Sequence, residues 1–177
     1  MTVPRPGARV LLFVLALGAM APPARADYDA GLEAYKSGDY ATALREFQAL
    51  ADRGVVIAYT NLGYMYALGE GVEADPVAAA RWIERAARAG DAASQLALGV
   101  LHHNGEGVPA DPIRAFAWLS LAGAAGRDDA LDYLELVRDG LDPDARTRAN
   151  RLARELLREH GAPELKRLAG EGWLSNR

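Results

Sequence analysis

The sequence contains no cysteine, so a disulfide framework, a thiolate metal site and a cysteine nucleophile are all excluded. Aromatic residues make up only 7% of the chain. Positive charge is in deficit, with 20 Lys and Arg against 24 Asp and Glu, a formal charge of −4. A phosphate polyanion would be repelled rather than steered, so no nucleic-acid partner is expected. What is present is a chain of 177 residues, half hydrophobic and a quarter charged. Such a composition suits a soluble globular protein of about one domain.

The first 26 residues differ from the rest. Arg5 and Arg9 give a positive start, Val10 to Met20 is apolar or small throughout, and Ala24-Arg25-Ala26 places small residues before Asp27. These three parts make a secretory signal peptide, cleaved near Ala26. A membrane anchor fits poorly, because eleven residues at 1.5 Å rise cover about half of a ~30 Å hydrocarbon core. No paired arginine marks a twin-arginine route and no cysteine carries a lipid. The expected product, 27–177, is periplasmic or secreted, without membrane insertion. Cleavage removes three arginines and no acid, so the charge falls to −7.

An internal repeat decides the fold. Shifting the chain by 36 places residues 55–90 on 91–126 with fourteen identities and no gap, among them Leu62/Leu98, Gly69/Gly105, Asp75/Asp111, Pro76/Pro112 and Trp82/Trp118. Each unit reads as helix, loop, helix, turn. A first helix from about Val56 to Leu68 stops at Gly69, which is suited to the left-handed conformation. Asp75 then caps a second helix that starts with Pro76, where a missing amide does no harm. Ala79, Trp82, Ile83 and Ala86 form one apolar stripe at i, i+3, i+4, i+7, and Gly90 ends the unit. Units 27–54 and 127–161 repeat the order with a loop five residues shorter, as specialised ends of an array would. Residues 162–177 form a tail.

The pattern Leu-Gly-x-x-Tyr-x-x-Gly-x-Gly-Val-x-x-Asp-x-x-x-Ala-x-x-Trp-x-x-x-Ala-Ala-x-x-Gly, running from Leu62 to Gly90, resembles the Sel1-like repeat, a relative of the tetratricopeptide repeat. The resemblance implies an all-α, right-handed solenoid of antiparallel helix pairs, about four units, whose first helices line a concave side. It also implies an adaptor that binds a protein or peptide. Some secreted members with paired cysteines are linked to penicillin-like compounds, an activity not carried over to this cysteine-free chain.

No catalytic, cofactor or metal residue is expected. His102 and His103 are adjacent, hence about 100° apart on a helix and poorly placed for chelation. His102 also falls in the register of Tyr66, a packing position. Glu70 and Glu106 recur with the period and are expected to serve their loops. A cell-wall glycan-binding protein or envelope hydrolase using these carboxylates is the alternative to the adaptor. No Gly-x-Ser-x-Gly motif or phosphate loop occurs. Trp82 and Trp118 are expected in the core, and Trp173 either tucks against the last helix or stands as an exposed anchor.

With Leu62, Gly63 and Tyr66 packed inside a pair, helical geometry sends Thr60, Tyr64 and Ala67 into the groove. Leu96, Val100 and His103 follow one unit later, and Asn104 and Lys36 join by the same count. Helix 113–125 is apolar all round, because Arg81, Glu84, Arg85 and Arg88 are replaced there by Ala117, Ser120, Leu121 and Ala124. It must be covered, either by the last helix through Leu152 and Leu156 or by a second copy in a homodimer centred on Phe116, Leu121 and Ala124. The last helix carries Arg146, Arg148, Arg151, Arg154 and Arg158. This side suits either an anionic surface such as lipid head groups or pairing with Glu155 and Glu159, the latter being expected.

Overall fold

A computed structural model describes residues 22–162 and residue 165. Among them the chain is all-helical: α1 (Pro22–Ser37), α2 (Tyr40–Asp52), α3 (Val56–Leu68), α4 (Pro76–Arg88), α5 (Ala92–Asn104), α6 (Pro112–Ala124), α7 (Asp128–Asp139) and α8 (Pro143–His160). The segment before residue 22 and Trp173 lie outside the described residues. Ala24, on the far side of the expected cleavage point, is buried in the first core cluster with Tyr28 and Phe47.

The repeated Asp-Pro device starts helices as its chemistry dictates. Asp75 Oδ1 accepts from the amides of Val77 and Ala78 at 2.9 and 3.0 Å, and Asp111 Oδ1 from those of Ile113 and Arg114 at 3.0 Å each. Asp142 does the same for Ala145 at 2.7 Å. These bonds satisfy amides with no partner inside the helix, and each Pro fills the first turn at no cost in hydrogen bonds. Gly69 and Gly105 end α3 and α5 with φ of 72° and 73°.

Three antiparallel pairs, α1–α2, α3–α4 and α5–α6, stack so that each second helix packs on the next first helix. Within a pair the close approach falls at one repeated position. A Cβ on Gly63 would lie 2.6 Å from Ile83 Cδ1, and one on Gly99 2.6 Å from Leu119 Cγ. Between pairs, the second glycine of each Gly-Glu-Gly loop is the tight point. Gly71 and Gly107 take φ of 75° and 69°, and a Cβ there would overlap the Tyr40 or Pro76 carbonyl oxygen of the preceding unit. Only glycine fits both the backbone twist and the space.

The last helix departs from the array. α8 lies along α6, reaches α4 and leaves α7 almost untouched, so segment 127–161 is not a helix pair like the other three. The reason is the apolar outer side of α6. Ala117, Ser120 and Leu121 there are at most 2% exposed, under a stripe of Ala145, Ala149, Ala153 and Leu157 from α8. Leu152 and Leu156 pack at the edge of this seam. Burying that area at about 25 cal/mol per Å² gives α8 its place. Phe116 and Leu121 are thereby internal, Phe116 in one core cluster with Val137, Leu141 and Ala145, and Leu121 in another with Ile83, Ala87 and Leu157. Of the expected homodimer centre Phe116, Leu121 and Ala124, this chain itself therefore covers Phe116 and Leu121, and Ala124 is left half-buried.

Candidate partner-binding face

The open side of α3 is set by which residues its neighbours bury. Ala58, Thr60, Leu62, Gly63 and Met65 are enclosed, whereas Ile57, Asn61, Tyr64 and Leu68 share the remaining side at i, i+4, i+7, i+11. Adding the 36-residue period gives Ala97, Val100 and Asn104 on α5, and a second period gives Tyr133 and Leu136 on α7. Successive first helices thus present two rungs, a mixed one of Asn61/Ala97/Tyr133 and an apolar one of Tyr64/Val100/Leu136. Leu68 is 62% and Leu136 44% exposed. Neither had been assigned to the groove from sequence. The signal was there: Leu136 is Tyr64 plus two periods, and Leu68 is one turn beyond Tyr64.

The sequence-derived candidates divide. Thr60 is only 5% exposed and its hydroxyl lies 3.0 Å from that of Ser94, so it joins α3 to α5 instead of lining a groove. Leu96 and Val100 are half-buried against the second core cluster, so only their outer sides are open. His103 is half-buried, and Asn104 is exposed with its amide donating to Glu106 Oε1 at 3.1 Å. Lys36 stands exposed in the last turn of α1.

Tyr64 marks a junction of three units. Burial is the main cause that raises its phenol pKa, the Asp91 carboxylate adds to it, and the Arg127 guanidinium opposes. Asp91 caps α5 through the Ser94 amide at 2.7 Å. Arg127, preceding α7, donates to both carboxylate oxygens of Asp129 at 3.0 and 2.5 Å.

The loop acids are engaged locally. Glu70 Oε2 accepts from the Tyr35 hydroxyl of the preceding unit at 2.6 Å, and Glu106 from Asn104. His102 is 7% exposed with Nδ1 3.5 Å from the Pro109 carbonyl, in the packing register expected for it. Burial chiefly lowers its pKa. Among the described residues no group of three or more His, Asp or Glu is placed to hold a metal. No described helix is long and apolar enough to cross a membrane.

The tryptophans differ from each other. Trp118 is 4% exposed and its ring stacks on His160 at 5.9 Å. Trp82, expected in the core, is only half-buried. Its ring stacks on Tyr59 at 5.9 Å, and the Arg85 guanidinium covers both rings at 4.5 and 4.6 Å from their centroids. The cause is the register difference at one site: where α6 has Leu121 under α8, α4 has a solvated Arg85.

The model of the Sel1 repeat matches residues 56–91 and 92–126. Comparison with curated proteins gives no match. Among solved structures, c5321, a protective antigen present in uropathogenic Escherichia coli strains that displays an SLR fold, superposes with a TM-score of 0.77 at 26% identity. The alignment covers 84% of this chain and 32% of that one. A Sel1 repeat protein from Oxalobacter formigenes superposes with a TM-score of 0.60 at 26% identity, over 73% of this chain and 56% of that one. The chain thus spans about a third of the first and just over half of the second. Repeat motif, stacked helix pairs and both superpositions agree that the chain carries two Sel1 repeats within a Sel1-like solenoid fold.

Proposed function

We propose that this protein is an exported, non-enzymatic adaptor of the bacterial cell envelope that holds an extended peptide or a partner's helix along its concave first-helix face. Sel1 repeats generally mediate protein–protein interaction, and Sel1 repeat proteins are typically non-enzymatic scaffolds. The observation that carries the reading is the apolar rung Tyr64/Val100/Leu136 across α3, α5 and α7, with Leu68 and Leu136 exposed beside half-buried tyrosines. Apolar side chains aligned along successive repeats match the anchors of a helix or strand laid across them. The residues before Asp27 support export, because a positive start, an apolar centre and a small-residue site occur together.

Capture from envelope extracts with immobilised protein, followed by mass spectrometry, tests the reading. Leu68→Asp with Leu136→Asp should weaken capture at least tenfold, the cost of losing interface anchors worth about 1–2 kcal/mol or more. Both side chains are exposed, so the melting temperature should move by less than about 3 °C. Undiminished capture by the double variant would remove the groove from the interface. Release of soluble fragments from peptidoglycan by the wild-type protein would replace the adaptor with an envelope hydrolase.

A further inference from the structure

The outer layer formed by α4, α6 and α8 is cationic although the chain as a whole is acidic. α4, α6 and α8 together carry nine arginines against four carboxylates, whereas α7 carries five acids and one arginine. Within this layer α8 stands apart. Its buried stripe, Ala145, Ala149, Ala153 and Leu157, faces α6. At i, i+3 and i+7 on the opposite side lie Arg151, Arg154 and Arg158, spanning roughly 10 Å along the axis. The ion pairs expected for them do not form. Among the described residues no carboxylate lies within pairing distance of these three guanidiniums, and Glu159 turns instead to His160 Nε2 at 3.5 Å. In α4, by contrast, Arg88 is held by Glu84 at 2.7 Å and Arg85 by two rings.

We infer that the Arg151–Arg154–Arg158 ridge of α8 docks the protein peripherally on an anionic lipid surface. Shape and charge select this occupant. The outer side of a single helix offers a peptide no groove, but it can lie along a plane over its whole length. Three guanidiniums without a carboxylate partner among the described residues, two of them on exposed side chains and Arg154 on a half-buried one, leave donors free, and phosphate head groups accept from guanidinium in forked geometry. No apolar side of α8 is left to insert, since its alanine stripe is spent on α6. The contact is therefore electrostatic, reversible and weakened by salt. It also uses the side of the molecule away from the first helices, so membrane contact and capture along α3, α5 and α7 are separate events. The inference does not rest on that capture.

Each arginine near an anionic surface contributes about fivefold to partitioning. Sedimentation with vesicles of phosphatidylcholine containing phosphatidylglycerol should pull the protein down at low ionic strength. Pure phosphatidylcholine should not, and about 0.5 M salt should release it. The variant Arg151→Gln, Arg154→Gln, Arg158→Gln should lose about a hundredfold in partitioning with an unchanged helical circular-dichroism spectrum. The matching Lys triple, which keeps the charge, should retain most of it. Equal binding to both vesicle types, undiminished binding by the Gln triple, or absence of binding by the wild type at low salt would each overturn the inference. Capture on polyglutamate without vesicle binding would also overturn it, assigning the ridge to an acidic protein.

Discussion

His102 shows how one side chain can be tied to the fold by its neutrality. It takes the register of Tyr66, and the surroundings that admit a phenol ring there leave an imidazole 7% exposed. Burial is the largest influence on its pKa and lowers it, the Arg114 charge works in the same direction, and the Pro109 carbonyl, Asp111 and Glu84 oppose. The folded value therefore lies below the unfolded one of 6.5. The native state holds the neutral ring, and protonation favours unfolding. Stability from this site is full above pH about 6.5 and is lost as pH falls through the lowered folded value. His102→Phe keeps the ring and removes the titration. Thermal melts between pH 7.5 and 5 should show a steeper decline for the wild type than for the variant. Parallel curves would mean that His102 accepts its proton without cost. The register was legible from the 36-residue period alone, but the proximity of Pro109, seven residues on across a loop, was not, because a single unit does not show how its own loop folds back.

At the scale of an element, the Gly-Glu-Gly loop is where sequence carried the position but not the cause. The first glycine, as a helix stop, follows from the local chain. The second, Gly107, meets the Pro76 carbonyl of the preceding unit, a contact that exists only once two units stack. Gly126 provides the control: its φ is 88°, yet nothing lies within 4 Å of a Cβ placed there. Gly126→Ala should cost the left-handed conformational penalty alone, about 1–2 kcal/mol. Gly107→Ala adds a steric collision with rigid backbone and should cost at least about 2 kcal/mol more, read from denaturant midpoints with unchanged slope. Equal losses would show that the junction between units yields freely. The same limit governed the tryptophans and Thr60. Helical periodicity tells which residues share a side, and it placed Trp82 and Trp118 alike. Whether a side ends buried depends on what arrives from elsewhere: α8 over Trp118, Arg85 over Trp82, and Ser94 beside Thr60.

The whole molecule is an open stack closed at one end by a helix that abandons its own hairpin. In a stack each unit contacts only its neighbours, so the last unit's outer side must be polar or covered. Here the cover is α8, and the replacement of Arg81, Glu84, Arg85 and Arg88 by Ala117, Ser120, Leu121 and Ala124 had already announced in sequence that α6 required one. What sequence left open was whether the cover comes from this chain or from a second copy, because an alanine stripe fits any close-packed helix. The seam gives a direct test. Ala153 is 1% exposed on α8 and belongs with Ala117, fully buried on α6, to one small cluster. Ala153→Arg would place an unpaired guanidinium between them at a cost of several kcal/mol, enough to detach α8. Because contacts in the stack are local, α1–α5 should keep their helices while Leu121 and Trp118 become exposed. Light scattering should then show self-association that increases with concentration, together with dye binding to the uncovered side, whereas Arg151→Ala, two residues back and exposed, should change stability by no more than about 0.5 kcal/mol. A strictly monomeric Ala153→Arg variant with the wild-type melting temperature would mean that α8 is not what keeps α6 from water.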